Sequence, residues 1–451
     1  MQRQADRTQA KKVARGLTAA GHRALFAGGC VRDHLRGEKP KDFDIATSAT
    51  PEQVMELFPE TKAVGAAFGV VLVLQDGAAC EVATFREDVG ILDGRHPKEV
   101  RFTDAEEDAN RRDFTINGLF EDPLTGEIFD YVGGREDLNA KLVRSIGDAQ
   151  ERFREDRLRM MRAVRFATVL DFRLDPATAD AIRADAGAIE EVAQERLRDE
   201  LNLMLLSGHA GRGIGLMHEL GLLEILLPEV AALDGVPQPP QYHPEGDVLT
   251  HTRLLCDTYH DEGLPVALAC MLHDIGKATT TVVHDDGKIA SPKHAGVGAE
   301  MTEEVLRRFR YPNRIIEHVT ELVARHMDLP TVPLMREAKR RRFLFREDFD
   351  DLLELHRIDC TSSHGMLDIY ESMKLERERI LAEPPPLEPL LHGRDLIELG
   401  FVPGPAFSVM LKTLVDAQLE DRIRTRPEAE KFILDRFAKP DGRTIAGGTS
   451  E

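Results

Sequence analysis

The sequence predicts an α+β protein in which a head built on a small mixed sheet precedes an all-helical body. Up to about residue 147, short apolar runs such as VVLVL and EVATF alternate with turn sequences such as QDG and LTGE, which is typical of strands. Between about residues 149 and 230, apolar side chains recur instead at helical spacing, as in LRMMRAVRFATVL. These two patterns together predict the fold class.

The chain of 451 residues is long enough for several domains with buried cores. The proline-rich passage LDGVPQPPQYHPEGD predicts a linker, because proline removes a backbone donor and breaks helices. A second proline run, EPPPLEPL, precedes a helical tail, and we expect its end, KPDGRTIAGGTSE, to be disordered. The predicted domains are a head at 1–147, a helical neck at 148–235, a second helical domain at 247–365 and the tail at 366–451.

Bulk properties narrow the class of protein. No run of 18 apolar residues is present and the charged start is unlike a signal peptide, so we expect a cytoplasmic protein without membrane contact. The five cysteines lack CxxC spacing, which favours buried free thiols over a disulfide framework or a zinc site. The formal net charge of −20 argues against general nucleic-acid binding, but arginines crowd residues 152–165 and 336–346 and suit a basic cleft for one RNA end.

The strongest local signal is the stretch FAGGCVRDHLRGEKPKDFDIAT. Gly28 and Gly29 follow a predicted strand and precede a predicted helix, which leaves their backbone N–H groups free to approach phosphate oxygens. Asp42 and Asp44 are two residues apart on what we expect to be the next strand, where i and i+2 project from one face and can grip the same metal pair. Glu81, in the hairpin EVATFRED, is a third candidate, although an ordinary strand-face acid explains it equally well.

Carboxylates for metal and amides for phosphate are what two-metal phosphoryl transfer needs. The sequence therefore predicts Mg²⁺ at Asp42 and Asp44, with Glu81 assisting catalysis. Taken singly, a double glycine is more often a turn and an aspartate pair more often a solvated loop, so the joint occurrence carries the prediction. The stretch RRDFTIN adds a cluster suited to clamp a triphosphate and to position a ribose, which comprises Arg111, Arg112, Asp113 and Asn117.

A further arginine-rich stretch, EDRLRMMRAVRFA, is suited to read a base. Arg159, Arg162 and Arg165 recur every third residue with Asp156 a turn earlier, and they share one predicted helical face. Asp156 can accept from the exocyclic amine of cytosine or adenine while Arg159 donates to the ring nitrogen. Guanine and uracil present a carbonyl there and would leave buried groups mispaired at roughly 1–3 kcal/mol each. The competing interpretation is a helix face of solvated ion pairs.

Together, GGCVRD, DFDIAT, EVATFRED, RRDFTIN and EDRLRMMRAVRFA resemble the motifs of CCA-adding enzymes of the bacterial and eukaryotic type and of their poly(A) polymerase relatives. The resemblance covers about residues 20–230 and implies a polymerase-β-like nucleotidyltransferase head followed by a helical neck. It implies metal binding by Asp42 and Asp44, an EDxxR amino-acid template at Glu155, Asp156 and Arg159, and nucleotide contacts from Gly29, Arg32, Arg112, Arg162 and Arg165. In ERLRDELN it makes Glu195 and Arg198 candidates for steering the template.

The resemblance predicts an enzyme that adds C and A from CTP and ATP to the 3′ end of tRNA without a nucleic-acid template. The stretch REDVGILDGRHPKEV resembles the family's flexible loop, which favours members that add the terminal A. Poly(A) polymerases and specialised A-adding or CC-adding enzymes are alternatives, because they share the head and the EDxxR motif. No feature of the sequence indicates an oligomeric state.

A second set of candidate metal ligands follows the predicted linker. Their order, H…HD…H…H…D, resembles the HD phosphohydrolase superfamily, and imidazole with carboxylate suits a divalent metal such as Mn or Ni. Buried core histidines and an inactive scaffold are competing interpretations, and an HD phosphohydrolase with a passive RNA-binding head is a rival for the whole chain. The six residues are His251, His273, Asp274, His294, His326 and Asp359.

Overall fold

The computed structural model describes residues 4–65, 69–91, 97–382 and 388–437. The chain divides into two compact units, Met1–Ala232 with Val305–Tyr311, and Leu233–Glu304 with Pro312–Glu451. The four predicted domains have finer boundaries than these units, and those boundaries stay a prediction. The expected disordered end, residues 439–451, lies outside the described residues.

The first part of the first unit alternates strands with short helices. Capping boxes begin two of the helices, where Asp6 and Thr50 accept from the backbone N–H groups of Gln9 and Gln53. The elements are α1 (Arg7–Ala19), β1 (Ala24–Ala27), α2 (Gly29–Leu35), β2 (Ile45–Thr47), α3 (Pro51–Leu57), β3 (Thr61–Gly65), β4 (Val70–Gln75), β5 (Ala78–Thr84), β6 (Arg86–Ile91), β7 (Pro97–Phe102), α4 (Ala105–Asn110), β8 (Leu119–Glu121), β9 (Ile128–Asp130), α5 (Gly134–Asn139) and β10 (Leu142–Val143).

Seven of these strands form one mixed sheet in the order β3-β4-β5-β2-β1-β8-β9. Strand β1 runs antiparallel to β2 and β8, whereas β2 and β5 are parallel, with Ile45 opposite Val82. A buried cluster that includes Leu25, Phe85 and Phe120 forms its core. Strands β6 and β7 form a separate antiparallel hairpin. Much of the stretch predicted to be a flexible loop is therefore paired backbone, and residues 92–96 of it lie outside the described residues.

The rest of the first unit is helical apart from one two-residue strand, which pairs in parallel with β10. Helices α7 and α9 pack against each other, burying Met161 and Val164 on one and Leu197 and Leu201 on the other. This contact sets the two arginine-rich helices side by side. The elements are α6 (Ala149–Glu155), α7 (Leu158–Val169), β11 (Arg173–Leu174), α8 (Pro176–Asp185), α9 (Gln194–Leu205), α10 (Ala210–Glu219), α11 (Leu223–Leu226) and α12 (Pro228–Ala231).

The second unit is almost entirely helical. The predicted linker contains neither helix nor strand between α12 and α13. Helix α14 is buried over seven consecutive residues, 266–272, and packs against α13, α17 and α19. The elements are α13 (Val248–Thr258), α14 (Leu264–Leu272), α15 (Lys277–Thr280), β12 (Val282–Val283), β13 (Ile289–Ala290), α16 (His294–Arg308), α17 (Asn313–Arg325), α18 (Glu337–Leu344), α19 (Phe349–Ser362), α20 (Asp368–Ala382), α21 (Gly393–Glu398), α22 (Ala406–Leu419) and α23 (Arg426–Phe437). The last turn of α16 belongs to the first unit.

The predicted mixed-sheet head and helical body are thus confirmed. All five cysteines are free and buried, as expected. Among the described helices, none is both long and apolar enough to cross a bilayer. In the second arginine-rich stretch, four guanidinium groups pair with acids of the same unit. These pairs are Arg340 with Glu376, Arg341 with Asp421, Arg342 with Asp416 and Arg346 with Glu321.

Candidate active site and metal cluster

Asp42 and Asp44 lie in the segment that leads into β2, and the prediction that they lie on the strand itself is wrong. The ladder between β1 and β2 begins only at Ile45, although the N–H of Ala27 still donates to the carbonyl of Asp44 at 3.1 Å. Phe43 between the two acids is buried, with its ring centroid 5.2 Å from that of Phe26. The expected alternation survives, since the residue between the aspartates is committed to the core.

Glu81 lies beside Asp44 because β2 and β5 are parallel. Ile45 is opposite Val82, so the residue before each of them is also a neighbouring pair. Burial and the negative charges of Asp42 and Glu81 raise the pKa of Asp44 to about 7, while Arg112 opposes the shift. A divalent cation would relieve this repulsion and prefers oxygen ligands, so Asp44 and its neighbours Glu81 and Asp42 are candidate ligands for one.

A cavity of about 530 Å³ in the first unit brings most of the predicted residues together. Phe166 and Val70 also line it, whereas Asp42 and Arg165 do not. Asp44 and Glu81 line the same cavity as the base-reading residues of the predicted template. The predicted residues that line it are Gly28, Gly29, Arg32, Asp44, Glu81, Arg111, Arg112, Asp113, Asn117, Asp156, Arg159 and Arg162.

Gly28 has a steric role in this cavity. Its φ is 71°, in the left-handed region, and a Cβ there would lie 2.8 Å from Nη1 of Arg112. Its N–H donates to the carbonyl of Leu119 at 3.1 Å, so the prediction that this group is free for a phosphate is wrong. Gly29 has no such crowding, since the atom nearest to a Cβ added there would be Nη2 of Arg32 at 3.8 Å. The double glycine thus makes room for an arginine.

The arginines predicted to clamp a triphosphate are held by partners within the first unit. Arg32 donates from Nη1 to Oδ1 of Asn117 at 2.8 Å. Asp108, which is only 1% exposed, accepts from Arg111 at 2.8 Å and from Arg112 at 3.0 Å. Burial alone would raise the pKa of Asp108, but Arg112 and Arg111 hold it below its ordinary value. The guanidinium groups are therefore fixed in place before any ligand arrives.

Asp113 is fully occupied by protein donors. Its Oδ2 accepts from Nη2 of Arg162 at 2.6 Å, and its Oδ1 accepts from Asn117 at 3.0 Å and from the N–H of Phe114 at 2.8 Å. Burial alone would raise the pKa of Asp113, but Arg162 and Asn117 lower it to about 2. Although it lines the cavity, this carboxylate serves to orient Arg162 and Asn117.

The sequence predicted that Asp156 shares a helix with the arginines that follow it, and this is wrong. Helix α6 ends at Glu155 and α7 begins at Leu158, so Asp156 lies between them with φ −148° and ψ 106°. The break lets both Asp156 and Arg159 line the cavity. Arg159 donates to Oε2 of Glu155 at 2.7 Å and to the carbonyl of Arg111 at 3.2 Å.

Helix α9 contacts the predicted template stretch through Arg196 and Glu200. Glu195 and Arg198, the residues implied by the resemblance, contact Arg310, and their steering role stays a prediction. Glu195 pairs with Arg310 at 2.5 Å, and Arg198 donates to the carbonyl of Arg310 at 2.8 Å. Arg196 and Glu200 are i and i+4 and share the opposite face. Glu200 is buried and accepts from Arg162 at 3.2 Å and from Arg165. Arg165 is absent from the cavity lining, and its implied nucleotide contact stays a prediction.

Four imidazoles of the second unit are oriented alike. In each, Nδ1 lies within hydrogen-bond distance of an acceptor oxygen, which makes Nδ1 the donor and leaves the lone pair on Nε2. The partners are Glu245 Oε1 for His251 at 2.7 Å, the Cys270 carbonyl for His273 at 3.2 Å, the Ser291 carbonyl for His294 at 2.8 Å and the Val323 carbonyl for His326 at 2.7 Å.

The Nε2 atoms of these rings converge on Asp274. Those of His294 and His326 are 3.1 Å apart, and they lie 3.5 and 3.7 Å from Oδ1 of Asp274. Among the described residues, this buried Oδ1 and Nε2 of His273 have no hydrogen-bond partner. Imidazole nitrogens that converge with a carboxylate oxygen in this way form a ligand set suited to a divalent metal, so the residues fit a metal ion.

The two acids of the predicted HD set complete the cluster. Oδ1 of Asp359 lies 3.1 Å from Nε2 of His251. Burial alone would raise the pKa of Asp274, but His273 and Lys277 hold it well below its ordinary value, which keeps it an ionised ligand. A cavity of about 540 Å³ opens beside the cluster, and all the HD residues except His251 are among its lining. The structure thus brings all six predicted residues together.

Comparison with known proteins gives the chain its family. A model of the poly A polymerase head domain matches residues 24–144, a model of the probable RNA and SrmB-binding site of polymerase A matches 171–233, and an HD domain model matches 246–382. A CC-adding tRNA nucleotidyltransferase of Thermus thermophilus is 33% identical over 421 residues, which cover 91% of this chain and 93% of that protein. The chain belongs to the tRNA nucleotidyltransferase family.

Other members of the tRNA nucleotidyltransferase family are also similar. A CCA-adding enzyme of Geobacillus thermodenitrificans is 45% identical over 215 residues, 48% of this chain and 53% of that enzyme, so the match spans about half the length of this relative. The crystal structure of the Bacillus stearothermophilus CCA-adding enzyme in complex with CTP superposes with a TM-score of 0.75 at 29% identity, covering 95% of this chain and 97% of the other. Nucleotidyltransferases of this family use divalent metals. Among the described residues, the groups of three ligand atoms within 4.8 Å of one another all belong to the histidine cluster of the second unit.

Several residues of this tRNA nucleotidyltransferase site were missed by reading the sequence. Asp108, Arg196 and Glu200 each fix a side chain of the predicted site from outside its motifs. Glu245 does the same for the histidine cluster. The i,i+4 spacing of Arg196 and Glu200 is the one signal that could have indicated a shared face, but the spacing alone does not say which helix that face meets.

We expect Gly28→Ala to impair the site more than the left-handed backbone alone explains. The new Cβ would meet Nη1 of Arg112 at 2.8 Å, in addition to the strain of about 1–2 kcal/mol for a left-handed alanine. Gly126→Ala is the matched control, because its φ is 77° but nothing lies within 4 Å of the added atom. Thermal unfolding and nucleotide affinity would be compared. Equal losses of affinity in the two variants would contradict the steric role.

We expect Asp113→Asn to destabilise the protein by about 1–3 kcal/mol at pH 7, because it removes the charge that Arg162 pairs with. The folded-state pKa of Asp113, about 2, lies below the ordinary 3.8, so this contribution is complete above 3.8 and is lost as pH falls through about 2. The difference between variant and wild type should therefore shrink below about pH 4 in urea titrations. A difference independent of pH would show that charge pairing is not the cause.

Proposed function

We propose that this chain adds C and A nucleotides from CTP and ATP to the 3′ end of tRNA without a nucleic-acid template. The observation that carries the proposal is that Asp44 and Glu81 line the same cavity as Asp156 and Arg159. A group that can hold catalytic metal therefore shares one cavity with a group that can read a base. The names of the relatives support it, as does the CTP complex of the Bacillus stearothermophilus enzyme.

Asp42, Asp44 and Glu81 would hold Mg²⁺ in this proposal. When bound, Mg²⁺ would supply activation of the RNA 3′-hydroxyl and charge neutralisation at the pyrophosphate leaving group. The chain's own contribution is to crowd three carboxylates together, which the raised pKa of Asp44 reflects. Their mutual repulsion would be relieved by a bound divalent cation, which favours cation binding at this cluster.

The remaining lining residues would bind and orient the nucleotide. Arg32 and Arg112 are held by Asn117 and Asp108, so their charges face a triphosphate with little ordering left to do. Asp156 supplies acceptors and Arg159 supplies donors, the pattern that the amine and ring nitrogen of cytosine or adenine complement. Guanine and uracil would place a carbonyl oxygen against the Asp156 carboxylate.

The competing products are a CC end, a single A and a long A tract. The Thermus thermophilus relative is CC-adding, whereas the Geobacillus relatives are CCA-adding. Denaturing gels at single-nucleotide resolution would resolve extension of tRNA that lacks CCA, with CTP and ATP given separately and together. Ordered addition of two C and one A followed by a stop supports the proposal. A stop after two C, or an A ladder on any RNA, would replace it by one of the alternatives.

An enzyme of tRNA maturation would act in the cytoplasm.

We expect Asp44→Asn to abolish nucleotide addition and the stabilisation by Mg²⁺. Removing one charge relieves the repulsion at the cluster but also removes a ligand, so Mg²⁺ should raise the Tm of chelator-treated wild type and leave that of the variant unchanged. Asp76→Asn is the control, because Asp76 pairs with Lys12 on the surface of the same unit. An Asp44→Asn variant that still gains stability from Mg²⁺ would place the metal elsewhere.

We also propose that the second unit is a metal-dependent phosphohydrolase. The observation that carries this second function is the convergence of imidazole Nε2 atoms on the unpartnered Oδ1 of Asp274, next to a cavity. Lys277, which lies 2.7 Å from Oδ2 of Asp274, adds a positive charge suited to a phosphate at that cavity. When bound, a divalent metal such as Mn or Ni would supply an activated water and a Lewis acid.

We expect Asp274→Asn to lose the bound metal of the second unit while nucleotide addition continues. The substitution removes the charge on which the imidazoles converge, and the two sites share no described residue. Metal content per chain would be measured by mass spectrometry after dialysis against Mn²⁺ or Ni²⁺. His284→Gln, an exposed histidine outside the cluster, is the control. Unchanged metal content in Asp274→Asn, or loss of both activities together, would contradict two separate sites.

A further inference from the structure

We propose that the proline-rich segment 238–245, which lies within the predicted linker, forms part of the metal site of the second unit. In this inference Glu245 is a positioning residue for the candidate ligand His251, and Gln238 is a positioning residue for Lys277. Neither belongs to the H…HD…H…H…D set. The inference rests on the metal-dependent function proposed for this unit and names further residues on which its site depends.

Glu245 holds two imidazoles with one carboxylate oxygen. Its Oε1 accepts from Nδ1 of His251 at 2.7 Å and from Nδ1 of His243 at 2.9 Å. The side chain of His251 is 0% exposed and that of Glu245 is 7% exposed, so water screens the contact little. Among the described residues, the buried Oε2 of Glu245 has no hydrogen-bond partner. The side-chain hydrogen bonds of this buried acid therefore go to the two rings.

The carboxylate sets the tautomer of His251. Because an ionised carboxylate only accepts, Nδ1 carries the proton and Nε2 keeps its lone pair. That Nε2 lies 3.1 Å from Oδ1 of Asp359, another candidate ligand. The other three imidazoles of the cluster have backbone carbonyls at Nδ1, so His251 differs from them in having a charged partner. A negative charge at Nδ1 makes Nε2 a more basic ligand for a metal.

Gln238 acts in a similar way on the cavity beside the cluster. Nζ of Lys277 donates to Oε1 of Gln238 at 2.8 Å and lies 2.7 Å from Oδ2 of Asp274. Gln238 is 5% exposed, and it lines the cavity of about 540 Å³ together with Lys277. An ammonium group has three N–H donors, and these two acceptors occupy two of them. The lysine charge is thus held at the cavity with one donor left for a phosphate oxygen.

The backbone of the segment forms a closed loop and not an extended spacer. The N–H of Val248 donates to the carbonyl of Val236 at 3.0 Å, so the two ends of the loop meet. Inside the loop, the N–H of His243 donates to the carbonyl of Pro239 at 3.0 Å. Prolines fix φ along it, which lowers the conformational entropy that is lost when the loop is ordered. A loop of this kind is suited to hold side chains in place without helix or strand.

Glu245→Gln tests the first contact, because glutamine keeps the size and an acceptor oxygen but loses the charge. We expect the affinity of the second unit for Mn²⁺ to fall about 10–100-fold, as is typical when a partner that orients a metal-bound histidine is lost. Free Mn²⁺ would be counted by electron paramagnetic resonance in the full chain carrying Asp44→Asn, which disables the candidate metal site of the first unit. Unchanged affinity would overturn the inference.

Two further variants separate the charge of Glu245 from a general loss of structure. Glu245→Asp keeps the charge and should bind Mn²⁺ more tightly than Glu245→Gln, whereas a purely steric role would make the shorter side chain the worse replacement. Glu224→Gln is the matched control, since Glu224 lies 2.7 Å from Nδ1 of His218 in a pair outside the cluster. It should leave the Mn²⁺ affinity unchanged. The reverse order of the two Glu245 variants, or an equal loss in the control, would contradict the positioning role.

Gln238→Leu tests the second contact, because leucine has a similar size but no acceptor for Lys277. In the same Asp44→Asn background, we expect the Mn²⁺-dependent affinity for inorganic phosphate, measured by calorimetry, to fall about tenfold. The affinity for Mn²⁺ itself should stay unchanged. Gln241→Leu is the control, because Gln241 is an exposed glutamine of the same segment. Unchanged phosphate affinity in Gln238→Leu, or an equal loss in Gln241→Leu, would also overturn the inference.

Binding is measured apart from hydrolysis so that the two claims fail separately. A protein whose Mn²⁺ affinity depends on Glu245, but which does not hydrolyse bis(p-nitrophenyl) phosphate or p-nitrophenyl phosphate, would refute the proposed hydrolase and leave the inference standing. A protein that hydrolyses either ester, and whose Glu245→Gln variant binds Mn²⁺ as tightly as the parent, would overturn the inference and leave the proposed hydrolase standing.

Discussion

The ion pair between Asp113 and Arg162 is the contact on which the rest of the first unit's site depends. It joins the segment before β8 to helix α7, across 49 residues of chain. Asp113 also holds Asn117, which in turn holds Arg32, so one buried carboxylate orients side chains on both sides of the cavity. Removing one partner of such a pair leaves a buried charge without compensation, so a single substitution in either residue destabilises the fold.

Buried acids account for how a chain with a net charge of −20 can hold a site for a triphosphate. Asp108 and Glu200 are almost wholly buried, and each holds two arginines that belong to the predicted motifs. Pairs of this kind contribute less to stability than to geometry, because desolvation offsets much of their attraction. What they supply is a set of guanidinium groups in fixed positions, which lowers the ordering cost when a nucleotide binds.

The candidate metal ligands of the two units differ in chemistry and therefore suit different metals. Carboxylates crowd together in the first, and their mutual repulsion is what suits a hard cation such as Mg²⁺. In the second, imidazoles oriented by backbone carbonyls converge on one buried aspartate, a set that suits transition metals. The His273–Asp274 pair directly follows the most buried helix of its unit, so a rigid element holds its central ligands.

The sequence by itself determined the fold class, the order of the motifs and twelve of the eighteen residues that line the first cavity, because strand and helix periodicity and motif spacing are local properties. It also determined the six residues of the histidine cluster. Only the tertiary structure decided the partners of the charged groups: that Asp156 meets Arg196 across 40 residues, that Glu195 and Arg198 turn to Arg310 instead, and that the Gly28 N–H is already taken. Those pairings depend on which helix faces pack together, and spacing within one segment carries no information about the face of another.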